Sequence, residues 1–425
     1  MKNLLKTTAV FIILVSALTA CEDRRYELVT YEANVPVYME LNDFRNSFLK
    51  SEPVEIKHPG KIYFKDGYLF VNEYGKGIHI IDNSNPSNPV KIAFYNILGN
   101  IDMAINGNIL YADSYIDLVA IDISDIDDPV EIDRLENVFP ESVPDGDSWY
   151  PYASVDNTKG VVIDWEVKTV TEKKEVYEQG GWYYSNMLTF AQSAAVDGIW
   201  SGGAGIAGSM ARFMLNEEYL YLIAYPWVLK TVDTGSENEM QIVDSVDVSR
   251  NMETLYRLGD KLFIGTTTGM LIYGLDNPDK PRYLSSYDHI TACDPVVTDG
   301  IYAYVTLRTG NLCGGNQNLL EVIDISSIIH PYLVKSYPMY NPHGLGIEGN
   351  LLFVCDGDAG LKIYDRTDPL GILNNQLAHF ADIDTYDVIP FNGILMLIGE
   401  DGIYQYDYTD IQNIVQISHL VVNGE

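Results

Sequence analysis

The chain of 425 residues carries 60 acidic against 27 basic side chains, a formal net charge of −33. Such a surface repels phosphate backbones, which argues against nucleic acid as a partner. Apolar residues make up 47% of the chain, enough for a sizeable core, yet long amphipathic periodicity is missing, so the pattern predicts an all-β protein.

The first 21 residues read as a targeting signal rather than as part of the fold. Lys2 and Lys6 precede an apolar run from Leu4 to Leu18, and "LTAC" closes it at Cys21. This resembles the bacterial lipobox. The resemblance implies cleavage before Cys21 and lipid attachment to its thiol, with acyl chains holding the folded part at a membrane. The expected location is the cell envelope at the outer membrane, on its periplasmic side or at the cell surface. Residues 22–56 then form a tether, with "VPVYM" (35–39) an extra strand; "EPVEI" (52–56) and "NIVQISHLV" (413–421) both read as D strands, one closing the ring and the other decorating it.

From residue 57 onward one pattern recurs. "GIHIIDNSNPSNPV" (77–90) returns as "LVAIDISDIDDPVEI" (118–132), "LKTVDTGSENEMQIV" (229–243), "MLIYGLDNPDKPRYL" (270–284), "LEVIDISSIIHPYLV" (320–334), "LKIYDRTDPLGIL" (361–373) and "IYQYDYTDIQNIV" (403–415). Asp82, Asp122, Asp233, Asp324, Asp365 and Asp407 mark the copies, with Gly274 in the seventh. Most copies lie about 40 residues apart, the spacing of a four-stranded propeller blade. Upstream of each, two strands are joined by a Gly- or Asn-bearing turn. The pattern predicts a β-propeller of seven blades, each of four antiparallel strands A to D. An eight-bladed ring is the alternative if residues 150–176 form a reduced blade. The Asp-x-Ser-x-x-x-x-Pro element becomes the C–D turn, its side chains bonding nearby backbone N–H groups. A phosphate loop would need glycines and a helix start, which the element lacks.

The repeats resemble the LVIVD-repeat family, with "LEVIDIS" (320–326) the nearest to its signature. The resemblance covers about residues 60–420 with one interruption, and implies a propeller of a secreted or surface protein with no single chemistry attached. "GKGIHIIDNSNPSNP" and "ACDPVV…AYVTLRTG…C" look like features of a bacterial surface lipoprotein subset.

Asp122 and Asp233 stand 111 positions apart, so an insertion of about 70 residues falls near 140–210. Its "GVVIDWEVKTVTEKKEV" (160–176) alternates as a hairpin or extended strand. Gly203, Gly205 and Gly208 fit GxGxxG, but no parallel strand leads in and no helix leads out, so no nucleotide is expected. This stretch reads as a close-packed loop, with a flap over the ring face as its functional alternative.

Propeller geometry sorts the loops onto two faces, and the D–A and B–C loops gather the charged groups. Glu73, Asp102, Asp113, Asp117, Asp294, Arg308, His343 and Asp356 form the candidate ligand-binding face. Asp384, Asp387, Asp358, Glu400 and Asp401 fall in the same loops. Cys293 and Cys313 share one blade on that face, and a disulfide between them would pin the excursion 308–318. Hard oxygen ligands would suit Ca2+, although no loop has EF-hand spacing. No cofactor is otherwise implied, and GxSxG and HExxH are absent.

These features point to a membrane-anchored binding or interaction module outside the cytoplasm, for a glycan, a peptide or a partner envelope protein. An enzyme acting on an extracellular glycan at the acidic face is the alternative, and a structural part of an envelope assembly is the third.

Overall fold

The computed structural model describes residues 26–175, 206–207, 209, 211–235, 239–288, 295–309 and 317–422. Among them, the repeats fold into seven antiparallel sheets of consecutive strands, spanning 59–96, 103–135, 213–247, 252–288, 296–338, 345–380 and 385–421. These are blades 1 to 7. Strands B and C are buried on both faces, as in Tyr68–Glu73 and Gly77–Asp82, while D strands such as Val90–Asn96 begin exposed. That difference explains why the B and C segments read as continuous apolar runs rather than as strict alternation.

The blades pack face to face into a closed ring. Apolar clusters join blades 1, 2 and 3, then 3 and 4, then 4, 5 and 6, then 6 and 7, and finally 7 and 1. The last joint sets Ile62, Leu69 and Ile81 against Ile389, Met396 and Ile403, with Phe64 and Phe391 ring centroids 5.1 Å apart. The buried amides of Asn83 and Gln405 bond reciprocally across the same joint, at 2.9 and 2.7 Å. Among the described residues no strand is exchanged between the ends. "EPVEI" forms no strand; Leu49–Ser51 instead flanks strand D of blade 1, and Ile56 is buried at the joint. Val415–Val421 is strand D of blade 7 itself.

The marker aspartates do the turn work their spacing suggests. Six of them accept the N–H of the residue two positions on, at 2.8–2.9 Å. Hydrogen bonds from that Ser or Thr hold the carboxyls of Asp82, Asp324, Asp365 and Asp407 below the usual range. The residue after each marker donates its N–H to the A–B turn of its own blade at 2.7–2.9 Å, in all seven copies including the Gly274 one. Every C–D pair also carries a register shift, a β-bulge that bends strand D.

The C–D turn then serves the neighbouring blade. Tyr95 Oη donates to Ile126 O, Tyr221 Oη to Pro278 O and Tyr337 Oη to Pro369 O, at 2.8, 2.8 and 2.6 Å. Ser285 does the same to Ile328 O, and Gln405 to Pro86 O. Each of these bonds runs from one blade to the turn of the next. Asp122→Ala, which frees the turn holding Ile126, is expected to lower stability by about 1 kcal/mol in urea unfolding, with the fold retained.

Residues 26–38 and 145–175 belong to a second compact unit. There Tyr26–Met39 pairs with Val161–Glu175, so the segment 150–176 is not an eighth blade. Asn34 ties the unit together, donating to Asp147 O and Tyr150 O at 2.8 and 2.9 Å, and the Tyr152 and Trp165 rings meet edge to face. Among the described residues no helix is long and apolar enough to cross a membrane.

Candidate functional site

Neighbouring A strands lie against one another, which makes them the innermost strands of the ring. The starts of A and the ends of B therefore share one mouth of the central channel, ringed by the D–A and B–C loops. Glu73, Asp102, Asp113, Asp117, Arg308, His343 and Asp356 all stand at this mouth or in those loops. Asp294, Cys293, Cys313 and Cys21 lie outside the described residues.

Three of these carboxylates turn inward and hold loops. Glu73 takes the backbone N–H groups of Lys57 and His58 at 3.1 and 2.9 Å and pairs with His79 Nε2 at 2.9 Å. Burial opposes its charge, but those bonds outweigh it and keep the carboxyl below the usual range. Asp117, fully buried, binds Arg45 Nε at 2.9 Å, Arg134 Nη1 at 3.4 Å and Asn137 N at 2.8 Å. Asp356, also fully buried, takes Tyr340 N, Asn341 N and the Lys362 ammonium.

A second group converges on the channel itself. Lys61, in strand A of blade 1, is buried against Asp102 of blade 2, with Nζ 2.7 Å from Oδ2. Burial lowers the pKa of this ammonium, and the Asp102 charge opposes that shift. Asp113 accepts Ile101 N at 2.7 Å, Asp102 N at 2.9 Å and Asn100 Nδ2 at 2.9 Å. Burial still pushes its carboxyl up to about 6. Asp387, in strand A of blade 7, is fully buried, and burial raises its pKa to about 7.

The mouth is crossed by the end of the insertion. Ile206 and Ala207 pair with Phe64 and Tyr63 on the inner edge of blade 1. Ser209 donates through N and Oγ to Asp387 Oδ1, at 3.0 and 3.3 Å, and its Oγ accepts Leu345 N of blade 6 at 2.7 Å. Ala211 O accepts Leu255 N of blade 4 at 2.7 Å, and Arg212 N reaches Asp102 Oδ2 at 2.5 Å. Only glycine fits at 344, where a Cβ would stand 2.4 Å from Asp387 Oδ1 and 2.7 Å from Ser209 Oγ. This strap therefore touches blades 1, 2, 4, 6 and 7, and it covers Asp387.

Beside the strap, four consecutive blades contribute a more open patch. Arg308 Nη1 lies 3.0 and 3.1 Å from the two ring nitrogens of His343, and Glu253 acts electrostatically on the same guanidinium. The His343 ring is 5.3 Å from that of Tyr386. Burial, and then the Arg308 charge, push His343 down to about 3, so its imidazole is neutral. Glu253, Arg308 and Tyr386 keep part of their surface in water. Cys355 nearby is buried and its thiol pKa is raised by burial, the setting of an inert packing residue. Among the described residues no group of three or more His, Cys, Asp or Glu side chains is placed to hold a metal ion.

Of the residues that loop sorting places on this face, the structure brings Arg308 to His343 and Asp102 to Asp113. Loop sorting leaves out Lys61, Ser209 and Arg212. A lysine inside the apolar run "GKIYF" was the one visible hint for the first; the strap residues sit in a glycine-rich stretch with no such cue.

Residues 60–97 match the LVIVD repeat. Comparison with curated proteins finds no match. Among solved structures, a protein from Lactobacillus plantarum is similar at a TM-score of 0.53 and 11% identity, covering 86% of this chain and 97% of its own. The periplasmic gluconolactonase PpgL of Pseudomonas aeruginosa gives a TM-score of 0.51 at 9% identity, covering 85% and 97%. The computationally designed Ika8 protein gives 0.50 at 9% identity, covering 88% and 93%. At such identities the likeness is one of fold.

Proposed function

We propose that this seven-bladed propeller, with its LVIVD repeat, is a binding module of the bacterial cell envelope that takes its ligand at the strap-bearing channel mouth. The observation that carries the reading is the convergence of Glu253, Arg308, His343 and Tyr386, from four successive blades, on one partly exposed patch beside the mouth. A guanidinium beside a neutral imidazole, a phenol and a carboxylate offers donors, acceptors and an aromatic face together, as glycan, peptide and protein ligands require. Glu253 and Tyr386 sit in strands, and Arg308 and His343 lie within two residues of strand ends, so little order is lost on binding. The lipobox-like "LTAC" at Cys21 supports a lipid anchor, which would hold this face in the aqueous space beside a membrane.

The test is a screen of the 22–425 chain against glycan arrays and peptide libraries, repeated with Arg308→Ala. The variant is expected to weaken retained ligands by about tenfold or more while unfolding at the wild-type temperature. Binding that survives both Arg308→Ala and Tyr386→Ala undiminished would show that the ligand sits elsewhere.

A further inference from the structure

We propose that the channel mouth is a site for an extended, hydroxyl-bearing basic peptide, which the protein's own strap occupies in its place. The inference rests on the reading that this face is the binding face. It follows from how the strap is held. Ile206 and Ala207 add a short antiparallel partner to strand A of blade 1, the manner in which sheets take up peptides at a free edge. The remaining bonds come from main-chain groups and one hydroxyl: Ser209 N and Oγ to Asp387, Leu345 N to Ser209 Oγ, Leu255 N to Ala211 O, and Arg212 N to Asp102. Any peptide with a serine or threonine at that place presents the same set.

The strap does not satisfy the mouth fully. Asp387 Oδ2 is buried and has no hydrogen-bond partner among the described residues, although Oδ1 of the same carboxyl takes both donors of Ser209. A buried carboxyl oxygen without a donor is uncommon in native proteins. A ligand bringing one more N–H group beside its hydroxyl residue completes what the strap leaves open. The net charge of −33 favours a cationic bearer of that group. Tethering gives the strap a high effective concentration, so a free peptide meets a mouth already filled.

The test uses a fluorescent peptide with the sequence of residues 204–213, AGIAGSMARF, and the full chain carrying Ser209→Asp. At pH 8, where Asp387 is ionised, the new carboxylate faces it and unseats the strap, which hydrogen exchange at 206–212 reports. Polarisation is expected to show peptide binding by Ser209→Asp at least about tenfold tighter than by wild type, and about tenfold loss when the peptide serine becomes alanine. An unseated strap with no peptide binding overturns the proposal. So does a folded Ser209→Asp chain whose strap stays protected. If Ser209→Asp does not fold, the wild-type chain is titrated with excess peptide: faster exchange at 206–212 supports the site, and unchanged exchange overturns it. A glycan retained through Arg308 together with a failed peptide test would sink this inference and leave the binding-face reading standing.

Discussion

Replacing Lys61 by methionine is expected to cost about 3–5 kcal/mol of stability, the penalty for stranding one member of a buried ion pair. Lys61 and Asp102 are both almost without solvent contact, and their bond at 2.7 Å joins blade 1 to blade 2. Methionine fills much the same volume, so the loss reports charge rather than a cavity. Asp102 would keep only Met103 N and Arg212 N as donors. The measurement is a denaturant midpoint at neutral pH, read with the slope to confirm a two-state transition. A loss under about 1 kcal/mol would show that the Lys61–Asp102 pair does not carry this joint.

The second large effect concerns pH. Asp387 has a folded pKa of about 7 against an ordinary value of 3.8, because burial disfavours its charged form. Ser209 and Lys61 favour that charge, Asp102 opposes it, and the Cys355 thiol adjoins the group from blade 6. The native state therefore keeps a proton that the unfolded chain gives up. Stability from this group is greatest in acid, falls as pH rises from about 4 to about 7, and is then flat. The whole excursion is of order 4 kcal/mol. Asp387→Asn removes the titration while keeping an oxygen for Ser209. Relative to wild type, the variant is expected to gain stability steadily between pH 4 and 7 and to hold that gain at pH 8. Parallel stability curves for the two proteins would show that Asp387 titrates normally. Asp113, raised to about 6, adds a similar slope to both proteins and cancels in the difference.

How much of this was legible in the sequence depends on the range of each interaction. The marker aspartates bond two residues away, so Asp82 and Asp324 could be assigned to turns from spacing alone. Blade count followed from the same periodicity. The inward turn of Glu73 was not legible, since its partners at 57, 58 and 79 come from two separate segments. Asp102 was placed at the correct mouth, but its lysine lies 41 residues away, and Asp387 meets Ser209 across 178. Likewise the extended stretch near 160–176 could be read, whereas its pairing with Tyr26–Met39 could not. Local hydrogen bonding writes itself into spacing; contacts made by ring closure do not.

That closure, achieved by side chains such as Gln405 and Phe391 without a shared strand, leaves all seven boundaries between blades alike in kind. Opening any D–A crossing and splicing the natural ends would sever no blade's own ladder. The seam between first and last blade is thus one boundary among seven. What guards it is an apolar cluster around Ile62 and Ile389 with one amide pair and two phenyl rings, so the torus is clasped there rather than sewn.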